Sequence, residues 1–290
     1  MCKLISVVVT TYGRDIALVK QAIESAFNQT YSNLEIILVD DNGVGSKLQM
    51  ENQVEFANIP RLKYIANVHN SGAQVSRNIG ILNANGEFIA FLDDDDYWDK
   101  TKLEKQLNVF EENIGLVYCN GYIIKGETGE IIREYQSIDS FKSEVQFKDL
   151  LYNDYIGTTT QAVVRKECFA TCGLFDYEMP ARQDYEMWLR ISRYFKTIGV
   201  NEFLFYHRIH EGEQISKNIE KRFNGYYRIF KKYREDYKFE KKAKVKCLLR
   251  LSLLCKRRKC FGAMISFFVR AFIKNPLVTI MTIKDHNNRE

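Results

Sequence analysis

The chain has 290 residues, 46% of them hydrophobic and 13% aromatic, a composition for one substantial globular core and not for a disordered chain. Its formal net charge of +5 conceals a split: residues 217–290 carry 21 Lys+Arg against 6 Asp+Glu, so a tail of +15 follows a body of −10. Such a tail suits an anionic phospholipid surface; no recognised DNA- or RNA-binding module accompanies it, which sets nucleic acid aside.

The seven cysteines are odd in number and scattered, without the paired spacing of a zinc site, and are expected to be reduced thiols in a cytoplasmic protein. The opening "MCKLISVVVTTYGRD" meets Arg14 and Asp15 before any long apolar segment, so it reads as a first strand and not as a signal peptide.

"LISVVVT" (Leu4 to Thr10) is a β-branched run, followed by a loop through Gly13 and a helical pattern from Asp15 to Asn28 with Ile16, Val19, Ile23 and Phe27 on one face. A second strand at "EIILVDDN", a helix near Lys47 to Phe56, a short strand "LKYIA", a helix from Gly72 to Leu82 and the strand "EFIAFL" follow. Near-continuous apolar strands alternating with amphipathic helices imply a doubly wound α/β fold on a mostly parallel sheet. Ligands of such sheets bind outside the carboxyl ends of the strands, so the loops after Thr10, Asp40 and Leu92 should converge on one crevice. After Glu112 come "GLVYCNGYIIKG", "GEIIREYQ", "YIGTTTQAVVRKECF", a helix "ARQDYEMWLRISRYF" and a strand "NEFLFYHR". The expected organisation is a domain over 1–216, with a nucleotide-binding half (1–112) and an acceptor-side half (113–216), then a basic helical extension over 217–290.

The last strand of the first half runs into Asp93, Asp94, Asp95 and Asp96. On an extended chain Asp93 and Asp95 share one face, and a carboxylate pair at a nucleotide crevice suits Mg²⁺ or Mn²⁺, which take oxygen ligands jointly from protein and substrate phosphates. A solvated loop whose Asp96 or Asp99 caps the following helix is the alternative.

"SVVVTTYGRD", "EIILVDDN", "NSGAQVSRNIGI", "GEFIAFLDDDDYW" and "ARQDYEMWLR", in this order and spacing, resemble the family 2 glycosyltransferases of the GT-A fold. The resemblance covers residues 1 to about 216. It implies that Thr10, Tyr12 and Arg14 lie against the nucleotide base and ribose, that Asp41 hydrogen-bonds the base edge, and that Arg77 and Asn78 lie near the nucleotide. Tyr12 offers a flat face to a pyrimidine, and a carboxylate accepting an imide N–H favours uracil or thymine; a buried core aromatic is the alternative for Tyr12. The resemblance makes Asp93 and Asp95 the metal-binding DxD pair, with Asp94 between them adding charge, and Asp184 the base. Gln183 stands where the family often has Glu, and Asp184 read without the resemblance is a helix N-cap. In "YHRIHEGEQIS" Arg208 and His210 match a segment that approaches the diphosphate or metal, while His207 is extra.

Within 217–259 aromatics and Lys/Arg alternate at roughly helical spacing, as in an amphipathic helix on an anionic membrane. Beyond it, Arg270 and Lys274 break the apolar stretches below the ~20 residues a bilayer span needs, so the expected attachment is peripheral. The alternative has these helices packing on the catalytic domain. The sequence thus implies an inverting, metal-dependent transfer from a nucleoside diphosphate sugar, with UDP-sugar first, to a glycan or lipid-linked acceptor of envelope polysaccharide. A non-catalytic nucleotide-binding scaffold at the membrane is the second reading. A nucleotidyltransferase is the third, disfavoured because "TTYGRD" has one Gly and no Lys.

Overall fold

The structure, a computed structural model, describes residues 3–126, 128–135, 141–209 and 218–287, with side chains described to residue 283. The described residues divide into two compact units, one drawn from Met1–Gln146, Tyr155–Tyr177 and Arg190–Glu211, the other from Phe147–Asp154, Glu178–Leu189 and Gly212–Glu290.

The first unit begins with β1 (Ile5–Thr11), α1 (Ile16–Phe27), β2 (Leu34–Asp40), α2 (Lys47–Phe56), β3 (Leu62–Ala66), α3 (Ala73–Asn83) and β4 (Phe88–Asp93). β3, β2, β1 and β4 are parallel neighbours in that order. Val7, Val8 and Val9 are all buried, because helices cover both faces of the sheet and every side chain of β1 needs an apolar position. Asp15 caps α1, accepting from the Ala17 amide at 2.8 Å, and the helix buries Val19, Ala22, Ile23 and Ala26. Gly80 lets α3 lie directly on β1: a Cβ there would stand 2.3 Å from Val8 Cγ1.

The chain then gives β5 (Tyr97–Trp98), α4 (Lys102–Leu107), β6 (Ile114–Lys125), β7 (Ile131–Tyr135) and β8 (Glu144–Val145). Next in chain order is α5 (Phe147–Tyr152), in the second unit, and then a 3₁₀ turn at Thr159–Gln161. β9 (Val163–Arg165), α6 (Glu167–Cys172), α7 (Gln183–Tyr194) and β10 (Lys196–Ile209) follow, the start of α7 falling in the second unit. β9 joins the two halves of the sheet, antiparallel to both β4 and β6, and β6 runs parallel to β10. Among the described residues this makes one sheet of ten strands, with the mostly parallel arrangement that the alternation of strands and helices implies.

The second unit adds α8 (Ile219–Lys232), α9 (Asp236–Phe239), α10 (Lys241–Arg257), α11 (Phe261–Lys274) and α12 (Pro276–Asn287) to α5 and the start of α7. The basic composition of α10 disguises a core helix. Val245, Leu248, Leu251, Leu254 and Cys255 are buried, and α10 packs against α5, α8, α11 and α12. α11 and α12 are different: Phe261, Ile265, Phe268, Phe272, Ile273, Leu277 and Met281 are exposed. No described helix is long and apolar enough to cross a membrane.

Candidate active site

The parallel register sets Thr10 opposite Val39 and Asp93, so the loops leaving β1, β2 and β4 meet at one end of the sheet. Backbone amides stitch them together: the Asp41 amide donates to the Thr11 carbonyl (2.8 Å), that of Gly13 to Asn42 Oδ1 (2.7 Å) and that of Tyr12 to Asp94 Oδ2 (3.3 Å). The Tyr12 side chain is 59% exposed, so it is not a core aromatic. Thr10 is half-buried.

The acidic run is a turn and not an extended segment. The Asp96 amide folds back onto the Asp93 carbonyl (3.1 Å), so strand alternation does not sort these carboxylates and each takes its own partners. Asp93 Oδ1 accepts from Arg77 Nη2 at 2.7 Å and from the Thr159 hydroxyl at 3.3 Å. Arg14 bridges the next two, Nε to Asp94 Oδ1 (3.0 Å) and Nη2 to Asp95 Oδ2 (2.7 Å). Asp96, whose side chain is fully buried, accepts from the Thr160 hydroxyl (2.8 Å) and the Arg208 amide (3.0 Å) and lies 3.1 Å from His207 Nδ1. Asp96 therefore ties the turn to β10 and does not cap α4. Asp99 takes the local role, accepting from the Thr101 amide and hydroxyl at 2.9 and 2.6 Å.

The electrostatics follow from this crowding. Burial, the Asp96 and Asp94 charges and, more weakly, that of Asp93 push Asp95 up to about 8 against the pull of Arg14. Burial also raises Asp94, while at Asp93 burial is outweighed by the charge and hydrogen bond of Arg77 together with the His207 charge and the Thr159 hydroxyl, which lower it. At His207, burial opposes the charged ring, but Asp96, its hydrogen bond, Asp95 and Asp93 outweigh it and push the imidazole up to about 9. Within this one turn Asp94 and Asp95 are both reluctant to ionise, a strain that a divalent cation beside their oxygens would relieve. Among the described residues no three His, Cys, Asp or Glu side chains converge as a protein-only cage. The turn's carboxylates are hard-oxygen donors of the kind that Mg²⁺ and Mn²⁺ take in ones and twos alongside substrate phosphates.

Several other sequence candidates hold the frame. Asp41 is buried, and its oxygens accept from Asn67 Nδ2 (2.7 Å) and the amides of Ser71 and Gly72 (2.8 Å each), fixing the loop that leads into α3. Asn78 pairs both ends of its amide with the Phe175 backbone at 2.9 Å. Arg208 gives Nε to the Asp95 carbonyl (3.0 Å), Nη1 to that of Gly126 (2.8 Å) and Nη2 to Gln21 Oε1 (2.6 Å), anchoring the acidic turn from behind. His210 lies outside the described residues. Sequence reasoning missed Asp40, which accepts from Asn42, Asn52 and Tyr64, and the Thr158–Thr160 run beneath Asp93 and Asp96. The "TTT" triplet was the available signal.

In the second unit, Asp184 is the second residue of α7 and accepts from the Tyr185 amide at 2.7 Å. Tyr185 donates to the Leu150 carbonyl, and buried Glu186 accepts from Lys232 Nζ (2.6 Å) and the Tyr233 hydroxyl (3.1 Å), so the start of the helix is fixed.

The model of "Glycosyl transferase family 2" matches residues 6–173. A chain of Escherichia coli strain K12 named for colanic acid biosynthesis as glycosyl transferase WcaA is 34% identical over 247 residues, covering 83% of this chain and 84% of that one. WfaP of Escherichia coli, named a UDP-Glc:α-D-GlcNAc-diphosphoundecaprenol β-1,3-glucosyltransferase, is 30% identical over 215 residues, covering 72% of this chain and 79% of that one. Among solved structures, Staphylococcus aureus TarS 1–349 in complex with UDP-GlcNAc superposes with a TM-score of 0.68 at 18% identity, over 98% of this chain and 88% of that one, a likeness of fold. The chain belongs to glycosyl transferase family 2 and is a glycosyltransferase of the GT-A fold.

Proposed function

We propose that the chain moves a sugar, with inversion, from a nucleoside diphosphate sugar to a hydroxyl of a glycan or lipid-linked glycan in envelope polysaccharide synthesis, and that the donor is a UDP-sugar. The observation that carries this reading is the meeting of exposed Tyr12, Arg14, Arg77 and the Asp93–Asp96 turn at the carboxyl ends of parallel strands in a family 2 chain. WfaP is named for UDP-Glc, and TarS holds UDP-GlcNAc.

Tyr12 stacks on the base with Thr10 beside the ribose, and Asp41 reads the base edge through the loop it organises. Arg14 and Arg77 balance the turn's charge and guide the diphosphate. A divalent ion held by Asp93 and Asp95, with Asp94 adding field and His210 as a further ligand, supplies charge stabilisation to the leaving diphosphate when bound. Asn78 and Arg208 are positioning residues: one fixes α3, the other the turn. Asp184 takes the proton of the acceptor hydroxyl as it attacks the anomeric carbon, a task for which placement matters more than a raised pKa. The exposed apolar side chains of α11 and α12, flanked by Arg270 and Lys274, seat the chain on the cytoplasmic face of an anionic membrane. In this reading α11 and α12, and not the whole of 217–290, carry the attachment.

The test is Asp184→Asn, assayed for sugar transfer and, separately, for UDP binding. Transfer should fall by at least about a thousandfold with UDP affinity unchanged, in line with loss of a general base. Substantial residual turnover would reject Asp184 as the base.

A further inference from the structure

Among the described residues of the second unit four arginines, Arg182, Arg222, Arg250 and Arg257, gather around fewer carboxylates than guanidiniums. Arg182, two residues before Asp184, and Arg250 of α10 lie against one ring: each guanidinium carbon is 4.8 Å from the Tyr226 centroid. Arg222 is four residues before Tyr226 on α8, hence on the same helix face, and its buried Nε has no partner among the described residues. Burial and the charges of Arg182, Arg257 and Arg250 hold the Arg222 guanidinium below its ordinary value. Arg182 itself takes φ of 64°, a left-handed conformation that a non-glycine residue adopts only when its surroundings impose it.

The facing counter-charges are Asp154, 3.9 Å from Arg182 Nη1, and Asp184, whose charge acts on Arg182. Arg250 spends one donor on Asn153 Oδ1 at 2.9 Å. The neighbouring cations Arg228, Lys232 and Arg258 already have Glu178, Glu186 and Glu220. Among the described residues, four guanidiniums against two carboxylates leave a surplus of two positive charges around the Arg222 Nε, a buried donor with no described partner. Guanidinium forks fit phosphoryl oxygens in pairs. A sugar–diphosphate–lipid, with one negative charge on each phosphoryl group, matches both the surplus and the donor geometry.

We propose that Arg182, Arg222 and Arg250 form a binding site for the diphosphate of a lipid-linked acceptor, holding it beside the base Asp184. The inference rests on the glycosyl-transfer reading and deepens it: the acceptor is an anionic diphosphate-linked glycan, not a neutral one. The site belongs to the acceptor because it shares a unit with Asp184, which meets the acceptor hydroxyl, whereas the nucleotide groups belong to the first unit.

The experiment uses the full chain with farnesyl diphosphate as probe, farnesol as the uncharged control, and UDP with Mn²⁺ in parallel titrations. Wild-type protein should bind farnesyl diphosphate and not farnesol. Arg222→Gln and Arg182→Gln should each weaken that binding about tenfold, the loss of one charged hydrogen bond, with UDP affinity unchanged. Arg222→Lys should fall between, and Arg228→Gln should bind as wild type. Undiminished binding in folded Arg222→Gln and Arg182→Gln overturns the proposal. So does an equal loss of UDP binding, which would assign the cluster to the donor. Loss of binding to phosphatidylglycerol vesicles with farnesyl diphosphate affinity retained overturns it too, because the cluster would then serve lipid headgroups. Wild-type protein that holds farnesyl diphosphate but no UDP keeps the anion site and rejects glycosyl transfer; one that holds UDP but no farnesyl diphosphate does the reverse.

Discussion

Replacing Asp96 by Asn keeps the shape of the side chain and removes its charge, which isolates what that charge does. Three interactions now end on this carboxylate: the Thr160 hydroxyl, the Arg208 amide and the His207 ring. Each falls from a charge-assisted bond of about 1.5–3 kcal/mol to a neutral one of about 0.5–1.5 kcal/mol, so the loss is about 1 kcal/mol each and about 3 kcal/mol in all. With a urea slope of about 2 kcal/mol/M, the unfolding midpoint should drop by about 1.5 M. Asp99→Asn is the internal control, since the Asp99 carboxylate accepts from Thr101 two residues on and its loss should cost under about 1 kcal/mol. The assay is equilibrium urea unfolding followed by circular dichroism. If Asp96→Asn unfolds at the wild-type midpoint, or if Asp99→Asn is the more damaged of the two, the tie between the acidic turn and β10 is not what holds the turn.

Gly80→Ala should destabilise by about 1–3 kcal/mol in the same assay, because a methyl 2.3 Å from Val8 Cγ1 must push α3 off β1, and Val8→Ala in the same chain should recover part of it. Equal or higher stability for the single variant would show the helix free to shift. Tyr12→Ala should leave the unfolding midpoint unchanged, the ring being 59% exposed, while weakening UDP binding about tenfold through lost stacking; calorimetry decides. Asp95→Asn should weaken UDP binding in Mn²⁺ at least tenfold and make the remainder insensitive to chelator. Unaltered affinity in Mn²⁺ would move the metal elsewhere.

The parallel sheet was legible because its strands are apolar on both faces and its helices keep their period, and the α/β switch-point rule points to the strand ends where the loops after β1, β2 and β4 meet. The acidic run was legible as a strand-end feature but not in its conformation. Alternation assumes an extended backbone, whereas Asp96 folds back on Asp93. Its partners are 64 and 112 residues away at Thr160 and Arg208, and no local pattern reports a pairing set by the register of β10 on β6. His207 read as a spare histidine for the same reason. In the tail, charge drew attention away from spacing. α10 carries seven Lys and Arg among 17 residues and reads as a surface helix, yet Leu248, Leu251 and Leu254 share one face and fill a core. The guanidinium cluster was invisible for want of a motif, since Arg182, Arg222 and Arg250 come from three separate segments.

The central claim is that the strand-end crevice binds the diphosphate of a nucleotide together with a metal. It is tested most directly by calorimetric titration of the full chain with UDP, TDP and GDP, each in Mn²⁺ and again in chelator. UDP should bind saturably, with chelator weakening it at least tenfold and GDP binding much more weakly. Absence of binding by all three nucleotides, or UDP binding indifferent to chelator, would contradict it.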